Sequence, residues 1–528
     1  MLNKTLLTIV LLSFGYIANY FDTAPTSNLL EEASIQYRND LNETNQHIAQ
    51  LVEKSIAFQN GEIALDVLQN QLLETRNSYK HVELFMEYFQ REAVAKYING
   101  APLPKLYTSA PGINVIDPNG LQTLDELIFS DKPAESAEEI TQLSKKLKSF
   151  WNNLYVIEKS KLFQHRFILE ACRFQIWRIY SLGLTGFDTP GSVNAIDEAK
   201  HSLESMKTYL KLYKPFAASL NATPIYDKVV ATLNDFISYL EQNDDFDSLD
   251  RMEVLRNYVN PLYKGVYELH KALKVEFVEE VDPTARAVNY HADYPFSDDF
   301  LYKGYFAEIT DEELSHAKKI ELGKILFYDP VLSKDLSMSC ASCHHPDKAF
   351  TDGLPKSGTN RKGVSTQRNA PTLVNSVYAE RYFYDLREYS LERQVKHVVY
   401  DSKEFNMDFI ELADRLKQSE EYVGLFDEVY GDMDKYGISS WSISNALAAY
   451  VASLSSWNSD FDKYARGETN QIDEAVIRGY NLFMGKAACG TCHFAPTFNG
   501  TIPPNYLESE SEVLGVPAEP DTVNASID

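Results

Sequence analysis

The sequence contains one five-residue pattern twice, as Cys340-Ala-Ser-Cys343-His344 and as Cys489-Gly-Thr-Cys492-His493. Two cysteines with two residues between them match the spacing of the two vinyl groups of a haem, to which their thiols add. The histidine that follows is then placed under the ring as an iron ligand. A zinc ion held by all four cysteines is the remaining alternative, but it leaves the repeated histidine without a role. The two patterns therefore predict two covalently attached c-type haems, ligated by His344 and His493.

Amphipathic helices are predicted on both sides of the first pattern. Thr310-Asp-Glu-Glu313 has the form of a capping box. The helix that it starts is expected to run through Leu322–Phe327 and to stop before Pro330. Further helices are predicted at about 440–455 and 473–484, whereas 331–405 is expected to be mostly loop with short helices.

Residues 28–280 carry apolar side chains at spacings of three and four, which predicts a helical bundle. Pro261 is expected to divide its last helix in two. The histidines of this half are scattered and are interpreted as ordinary surface or core residues, so its role stays open. The sequence thus predicts an all-α protein: a helical domain at 28–280, a linker at 281–305, a loop-rich, cytochrome-like first haem domain at 306–465 and the start of a second one at 466–528.

The bulk properties limit the class of protein. A chain of 528 residues predicts two to four domains, and its formal net charge of −26, without a basic stripe to neutralise phosphates, argues against nucleic acid as a partner. Four of the five cysteines belong to the two patterns, so no disulfide framework is expected. The same acidity is compatible with steering of a basic partner protein.

The N-terminus has the form of a signal peptide. Lys4 precedes an apolar run over residues 6–18, which is short for a membrane span. Residues 1–22 are therefore interpreted as an export signal, and an uncleaved anchor that tethers the protein to the membrane is the alternative. Export predicts a periplasmic location, which agrees with haem attachment outside the cytoplasm.

Several segments in register resemble the bacterial di-haem cytochrome c peroxidase family, which includes the MauG-like proteins. The resemblance covers about residues 310–528 and rests on the segments 322–333, 339–344, 368–375, 383–387, 390–394, 460–464, 479–483 and 485–489. Their sequences include Leu322-Gly-Lys-Ile-Leu-Phe-Tyr-Asp-Pro-Val-Leu-Ser333 and Arg368-Asn-Ala-Pro-Thr-Leu-Val-Asn375.

The resemblance implies different tasks for the two haems. The haem at His344 would react with peroxide, and the haem at His493 would receive electrons. Glu404 matches the acid above the reactive haem, with Gln394 beside it, and a carboxylate there can move a proton between the two peroxide oxygens. The positions Tyr384 and Arg387 would also lie at the haems. Asn369 matches a position that helps to bind calcium, for which an amide oxygen is a suitable ligand.

Three departures from the family pattern carry expectations. The segment 346–368 lacks the histidine that blocks the reactive iron in many members, so the first haem is expected to be five-coordinate and high-spin when oxidised. Tyr384 stands where a tryptophan usually lies between the haems. The chain ends 35 residues after His493, so the segment that supplies the second axial ligand, Met in peroxidases or Tyr in MauG-like proteins, is expected to be missing.

These observations favour a periplasmic di-haem peroxidase that reduces hydrogen peroxide with electrons from a small redox protein, a cytochrome c or a cupredoxin. A MauG-like oxidase that modifies a partner protein uses the same haem arrangement and is the alternative. A third interpretation is a di-haem electron carrier or sensor without peroxide turnover.

Overall fold

The computed structural model describes residues 26–106, 115–308, 310–359, 361, 363–431, 437–509, 511, 512, 514 and 516. The predicted export signal at 1–22 and the end of the chain at 517–528 lie outside the described residues. The chain forms two compact units. Of the described residues, unit 1 comprises those within 26–102, 118–283 and 484–487, and unit 2 comprises those within 103–106, 115–117, 284–483 and 488–516. The regular secondary structure of both is almost entirely helical, which confirms the predicted all-α fold.

Unit 1 is built from helices joined by short turns. Three of the helices continue into single π-helical turns, at Val94–Ile98, Ile179–Gly183 and Leu255–Val259, and the last of these turns leads directly into a fourth helix. The helices are α1 (Thr26–Gln59), α2 (Leu65–Phe89), α3 (Arg91–Ala93), α4 (Leu121–Ile128), α5 (Ala137–Glu158), α6 (His165–Arg178), α7 (Ala195–Lys211), α8 (Lys214–Ser219), α9 (Thr223–Gln242), α10 (Arg251–Val254), α11 (Asn260–Ala272) and α12 (Val278–Val281).

The long helices of unit 1 pack as neighbours in a bundle. α1 contacts α2 and α5, α2 contacts α7, and α11 contacts α6 and α9. The last helix was predicted to be divided at Pro261, and two α-helices, α10 and α11, are present there, joined by the π-helical turn Leu255–Val259. Pro261 occupies the first turn of α11, where its missing N–H leaves few hydrogen bonds unmade.

A group of charged side chains lies in the core of unit 1, contrary to the usual exposure of such residues. Asp188 is 1% exposed and accepts hydrogen bonds from Lys80 at 2.7 Å and from Arg178 at 2.8 and 3.0 Å. Burial opposes its ionised form, but Arg178 and Lys80 together hold the pKa of Asp188 well below its ordinary value. Glu83 and Glu198 are further buried partners of the same cations.

Unit 2 combines eight helices of the described residues with long loops and one antiparallel pair of two-residue strands, β1 (Lys105–Leu106) and β2 (Val115–Ile116). The helices are α13 (Asp311–Leu314), α14 (Ala317–Tyr328), α15 (Leu391–Tyr400), α16 (Phe409–Lys417), α17 (Glu420–Tyr430), α18 (Ser440–Ser453), α19 (Asp460–Ala465) and α20 (Glu474–Met484).

The core of unit 2 surrounds α18, which is buried from Ser442 to Ala452 and contacts α13, α14 and α15. α14 approaches α18 so closely that a Cβ atom at Gly323 would lie 1.9 Å from the carbonyl oxygen of Ala446. Glycine is therefore required at this crossing. The same core holds side chains that pack against Cys340 and Cys343, so the loop that carries the first cysteine pattern is anchored to the helices.

Two expected boundaries differ in the structure. The capping box at Thr310 and Glu313 is present, but the helix after it ends at Leu314, and His316 caps a separate helix, α14. The segment 281–305, interpreted as a linker, contributes buried Tyr290, Phe296 and Phe300. Its apolar side chains are packed because aromatic residues without a helical period can still fill a loop-rich core. Within the described ranges, no helix is both long and apolar enough to cross a membrane.

Candidate haem sites

The first cysteine pattern forms a tight turn that orients its histidine. Cys340–Ser342 is a single 3-10 turn, and the backbone N–H of His344 donates to the carbonyl oxygen of Cys340 at 2.9 Å. The ring atom Nδ1 of His344 lies 2.8 Å from the carbonyl oxygen of Phe350. A carbonyl only accepts, so Nδ1 carries the proton and Nε2 keeps its lone pair for an iron ion. Burial lowers the pKa of His344, which also favours this neutral form.

The second pattern repeats this geometry. Cys489–Thr491 forms the same turn, the N–H of His493 donates to Cys489 at 2.9 Å, and Nδ1 of His493 lies 3.1 Å from the carbonyl oxygen of Phe498. His493 and Cys492 are exposed, whereas His344 and Cys343 are half-buried. Both histidines thus present Nε2 as the ligand atom beside a pair of thiols, which fits a haem at each site.

A phenylalanine from the preceding helix contacts each histidine ring. Phe327 lies 6.5 Å from the ring of His344, and Phe483 lies 6.3 Å from the ring of His493, measured between centroids. Both residues end a Gly-x-x-Leu-Phe sequence, at 323–327 and at 479–483. This repeat was missed as a sign of duplication, although it stands before both cysteine patterns in the sequence.

A short segment of chain connects the two histidine loops. Thr372 donates from Oγ1 to the carbonyl oxygen of Ala349 at 2.6 Å, and Ala349 directly precedes Phe350 in the chain. At the other end of the segment, Asn499, directly after Phe498, donates from Nδ2 to the carbonyl oxygen of Tyr378 at 3.3 Å. The cysteines do not converge on one point: among the described residues, no group of three or more His, Cys, Asp or Glu side chains could hold a metal ion. The geometry therefore does not support the alternative of a four-cysteine zinc site.

Glu404 lies beside the first cysteine pair. Its backbone N–H donates to the carbonyl oxygen of Asp401 at 3.0 Å, in the turn that follows α15, and its side chain is half-buried. Burial, with a smaller contribution from Asp401, raises the pKa of Glu404 to about 7. Its charge in turn helps to raise the pKa of the thiols of Cys340 and Cys343, after the larger effect of their own burial. A carboxyl group with a pKa near neutrality can both donate and accept a proton.

The other predicted site residues are placed as follows. Gln394 is half-buried on α15, and Asn369 is exposed. Arg387 is exposed, pairs with Asp385 at 2.6 Å and lies over the ring of Phe383. Tyr384 is 63% exposed, and the guanidinium carbon of Arg368 lies 3.3 Å from its ring centroid. Their roles at the haems stay predictions.

Unit 2 thus presents two equivalent histidine loops, each beside a pair of cysteines, and this arrangement fits two haems. Residues 317–470 match the sequence profile of the family described as di-haem cytochrome c peroxidase. This match confirms the predicted resemblance and supports haem as the cofactor.

The relatives carry peroxidase and MauG names. The chain is 32% identical over 225 residues to cytochrome-c peroxidase IdrP2 of Denitromonas iodatirespirans, which covers 42% of this chain and 57% of the relative. It is 35% identical over 176 residues to the methylamine utilization protein MauG of Methylorubrum extorquens, and the match covers 33% of this chain and 49% of the relative. It is 31% identical over 249 residues to cytochrome c peroxidase Ccp of Escherichia coli, and the match covers 46% of this chain and 52% of the relative. The chain thus spans about half the length of these curated relatives.

Solved structures also match part of the chain. One is a MauG-like protein associated with microbial copper homeostasis, at 30% identity, with 38% of this chain and 57% of that chain covered and a TM-score of 0.33.

Proposed function

We propose that the chain is part of a periplasmic di-haem peroxidase that reduces hydrogen peroxide to water, with one haem attached covalently at Cys340 and Cys343 and the other at Cys489 and Cys492. The observation that carries the proposal is the identical presentation of His344 and His493, each with Nδ1 held by a backbone carbonyl. Haem iron supplies the electron transfer and peroxide activation that side chains alone cannot provide.

The first site is proposed as the place of reaction because Glu404 lies beside it. At neutral pH, a carboxyl group with a pKa of about 7 can take the proton from one peroxide oxygen and return it to the other. Gln394 would orient the peroxide from α15. The hydrogen bond from Nδ1 of His344 to the carbonyl oxygen of Phe350 fixes the orientation of the imidazole ring. Nε2, the proposed ligand atom, is thereby kept in position for the iron.

The second site is proposed as the point of electron entry. Its histidine and second cysteine are exposed, which allows a partner's redox centre to approach. The partner is proposed to be a small cytochrome c or cupredoxin in the periplasm. The net charge of −26 favours a donor with a basic surface. A calcium ion with Asn369 among its ligands and an N-terminal membrane tether also remain proposals.

A MauG-like oxidase is the second candidate because the relatives named MauG are as similar to this chain as the peroxidases are. In that case, the same first site would oxidise a partner protein instead of consuming electrons from the second site. The two activities require different co-reactants, so a steady-state assay separates them.

The decisive experiment compares peroxide reduction by the wild type and by Glu404→Gln with reduced cytochrome c as donor. The substitution keeps the size of the side chain but removes its proton exchange, so kcat/KM for peroxide should fall by about 10²–10⁴-fold. Glu411→Gln is the matched control, because Glu411 is an exposed glutamate of the same unit. Equal turnover in all three proteins would remove Glu404 from the mechanism, and no turnover in the wild type would contradict the peroxidase proposal itself.

A further inference from the structure

Aromatic rings form a continuous path from the first haem site to the surface of unit 2. The ring of Phe327 lies 6.5 Å from His344, and the ring of Tyr450 follows at 5.0 Å from Phe327. Tyr450 is 6% exposed, and its hydroxyl donates to the hydroxyl of Tyr328 at 3.5 Å. Tyr328 is 41% exposed, so the path begins at an iron ligand and ends in solvent.

The position of Tyr450 depends on the crossing of α14 and α18. A Cβ atom at Gly323 would lie 2.9 Å from Cβ of Tyr450, so only glycine allows the tyrosine this close to α14. The same helix carries Phe327 and Tyr328, whose rings both contact Tyr450 edge-on. The path is therefore part of the rigid helix packing, which keeps its gaps short and fixed.

The two phenols can exchange a proton as well as an electron. Burial, followed by the hydrogen bond to Tyr328, raises the pKa of Tyr450, so its hydroxyl stays protonated in the resting protein. When Tyr450 loses an electron, its proton can pass to the oxygen of Tyr328, whose own proton passes to water. Tyr328 then reduces Tyr450 and becomes the exposed tyrosyl radical.

We propose that Tyr450 and Tyr328 form a radical relay, and that Tyr328 is a second, surface site at which this protein oxidises small phenols. Hydrogen peroxide is the oxidant: its O–O bond breaks, and with two electrons and two protons it forms two water molecules. Each phenol supplies one electron and one proton by losing its O–H hydrogen to Tyr328, whose O–H bond is restored. Two phenols are thus oxidised to two phenoxyl radicals for each peroxide. The relay rests on the proposed reaction of peroxide at the first site.

The relay is tested by electron paramagnetic resonance on the haem-loaded full chain, frozen after mixing with hydrogen peroxide. The expected result is a tyrosyl signal that narrows when the protein contains ring-deuterated tyrosine, and that is lost in Tyr328→Phe and in Tyr450→Phe. Tyr389→Phe is the matched control: Tyr389 is 45% exposed and lies next to Arg393, outside the path. Its variant should keep the signal.

A second measurement uses 2,6-dimethoxyphenol as the reductant. Oxidation of this phenol should be lost in Tyr328→Phe and Tyr450→Phe but kept in Tyr389→Phe. A tyrosyl signal and phenol oxidation that persist in both relay variants would overturn the relay. If the wild type does not reduce peroxide with cytochrome c either, the proposed function has failed; if it does, only the relay has failed.

Discussion

Replacing Asp188 by Asn tests whether the charged core stabilises unit 1. Asp188 is buried and holds Lys80 at 2.7 Å and Arg178 at 2.8 Å. Removing one partner of a buried ion pair costs about 3–5 kcal/mol because the other charge is left without compensation. In the variant, Lys80 and Arg178 still form ion pairs with Glu83, at 2.6 and 2.9 Å. We therefore expect a loss of stability at the lower end of this range, about 3 kcal/mol.

This loss can be measured by thermal unfolding. For a unit of this size, 1 kcal/mol lowers Tm by about 2–4 °C, so Asp188→Asn should lower the Tm of unit 1 by roughly 6–12 °C. Circular dichroism gives the transition, and hydrogen exchange of α2 and α6 assigns it to unit 1.

The matched control is Asp197→Asn. Asp197 pairs with Lys200 at 3.0 Å but is 41% exposed, so its loss should cost about 0–1 kcal/mol. If Asp188→Asn is as stable as this control, the free energy that the buried ion pairs contribute only equals the cost of burying their charges. The claim that these ion pairs stabilise unit 1 would then be refuted.

Three further predictions concern pH, packing and the haem. Burial raises the pKa of Asp40 to about 6, so the folded state keeps a proton that the unfolded state loses, and the free energy of unfolding falls as pH rises from about 4 to 6. Asn at this position does not titrate, so the free energy of unfolding of Asp40→Asn, measured relative to the wild type by urea unfolding, should rise by about 3 kcal/mol between pH 4 and pH 7. A difference between the two proteins that does not change with pH would contradict this. Gly323→Ala should cost about 1–3 kcal/mol in the same assay. Gly479→Ala, where a Cβ meets nothing within 4 Å, should not destabilise, and equal effects would refute the crossing argument. The oxidised protein should show high-spin haem in its visible spectrum because 346–368 has no histidine; purely low-spin haem would count against this.

The sequence predicted the helices well where periodic patterns and caps act locally. The capping box at Thr310 and the helix around Leu447 depend only on neighbours along the chain, and both are present. The π-helical turn that joins α10 to α11 before Pro261 could not be predicted, because such a turn is tolerated only in the context of its packed neighbours.

The charged core and the histidine contacts needed three-dimensional information. Lys80 and Glu83 have the same spacing as residues of a solvated helix face, so no local pattern distinguishes their burial. His81 and His201, interpreted as scattered, lie 3.2 Å apart between ring nitrogens because α2 packs against α7.

The two cysteine–histidine patterns needed the least three-dimensional information. Both cysteine patterns carry their chemistry within five residues, and the structure adds the carbonyl of Phe350 or Phe498 that orients each histidine. Those carbonyls follow after loops of different sequence, so only the folded chain reveals that a backbone carbonyl orients both histidines in the same way.

The mass of the intact protein tests the central claim most directly. Expressed with the machinery for covalent haem attachment and denatured before measurement, the chain should retain the mass of two haems. Cys340→Ser with Cys343→Ser should retain one, as should Cys489→Ser with Cys492→Ser. A wild-type chain that carries no covalent haem, or only one, would contradict the account.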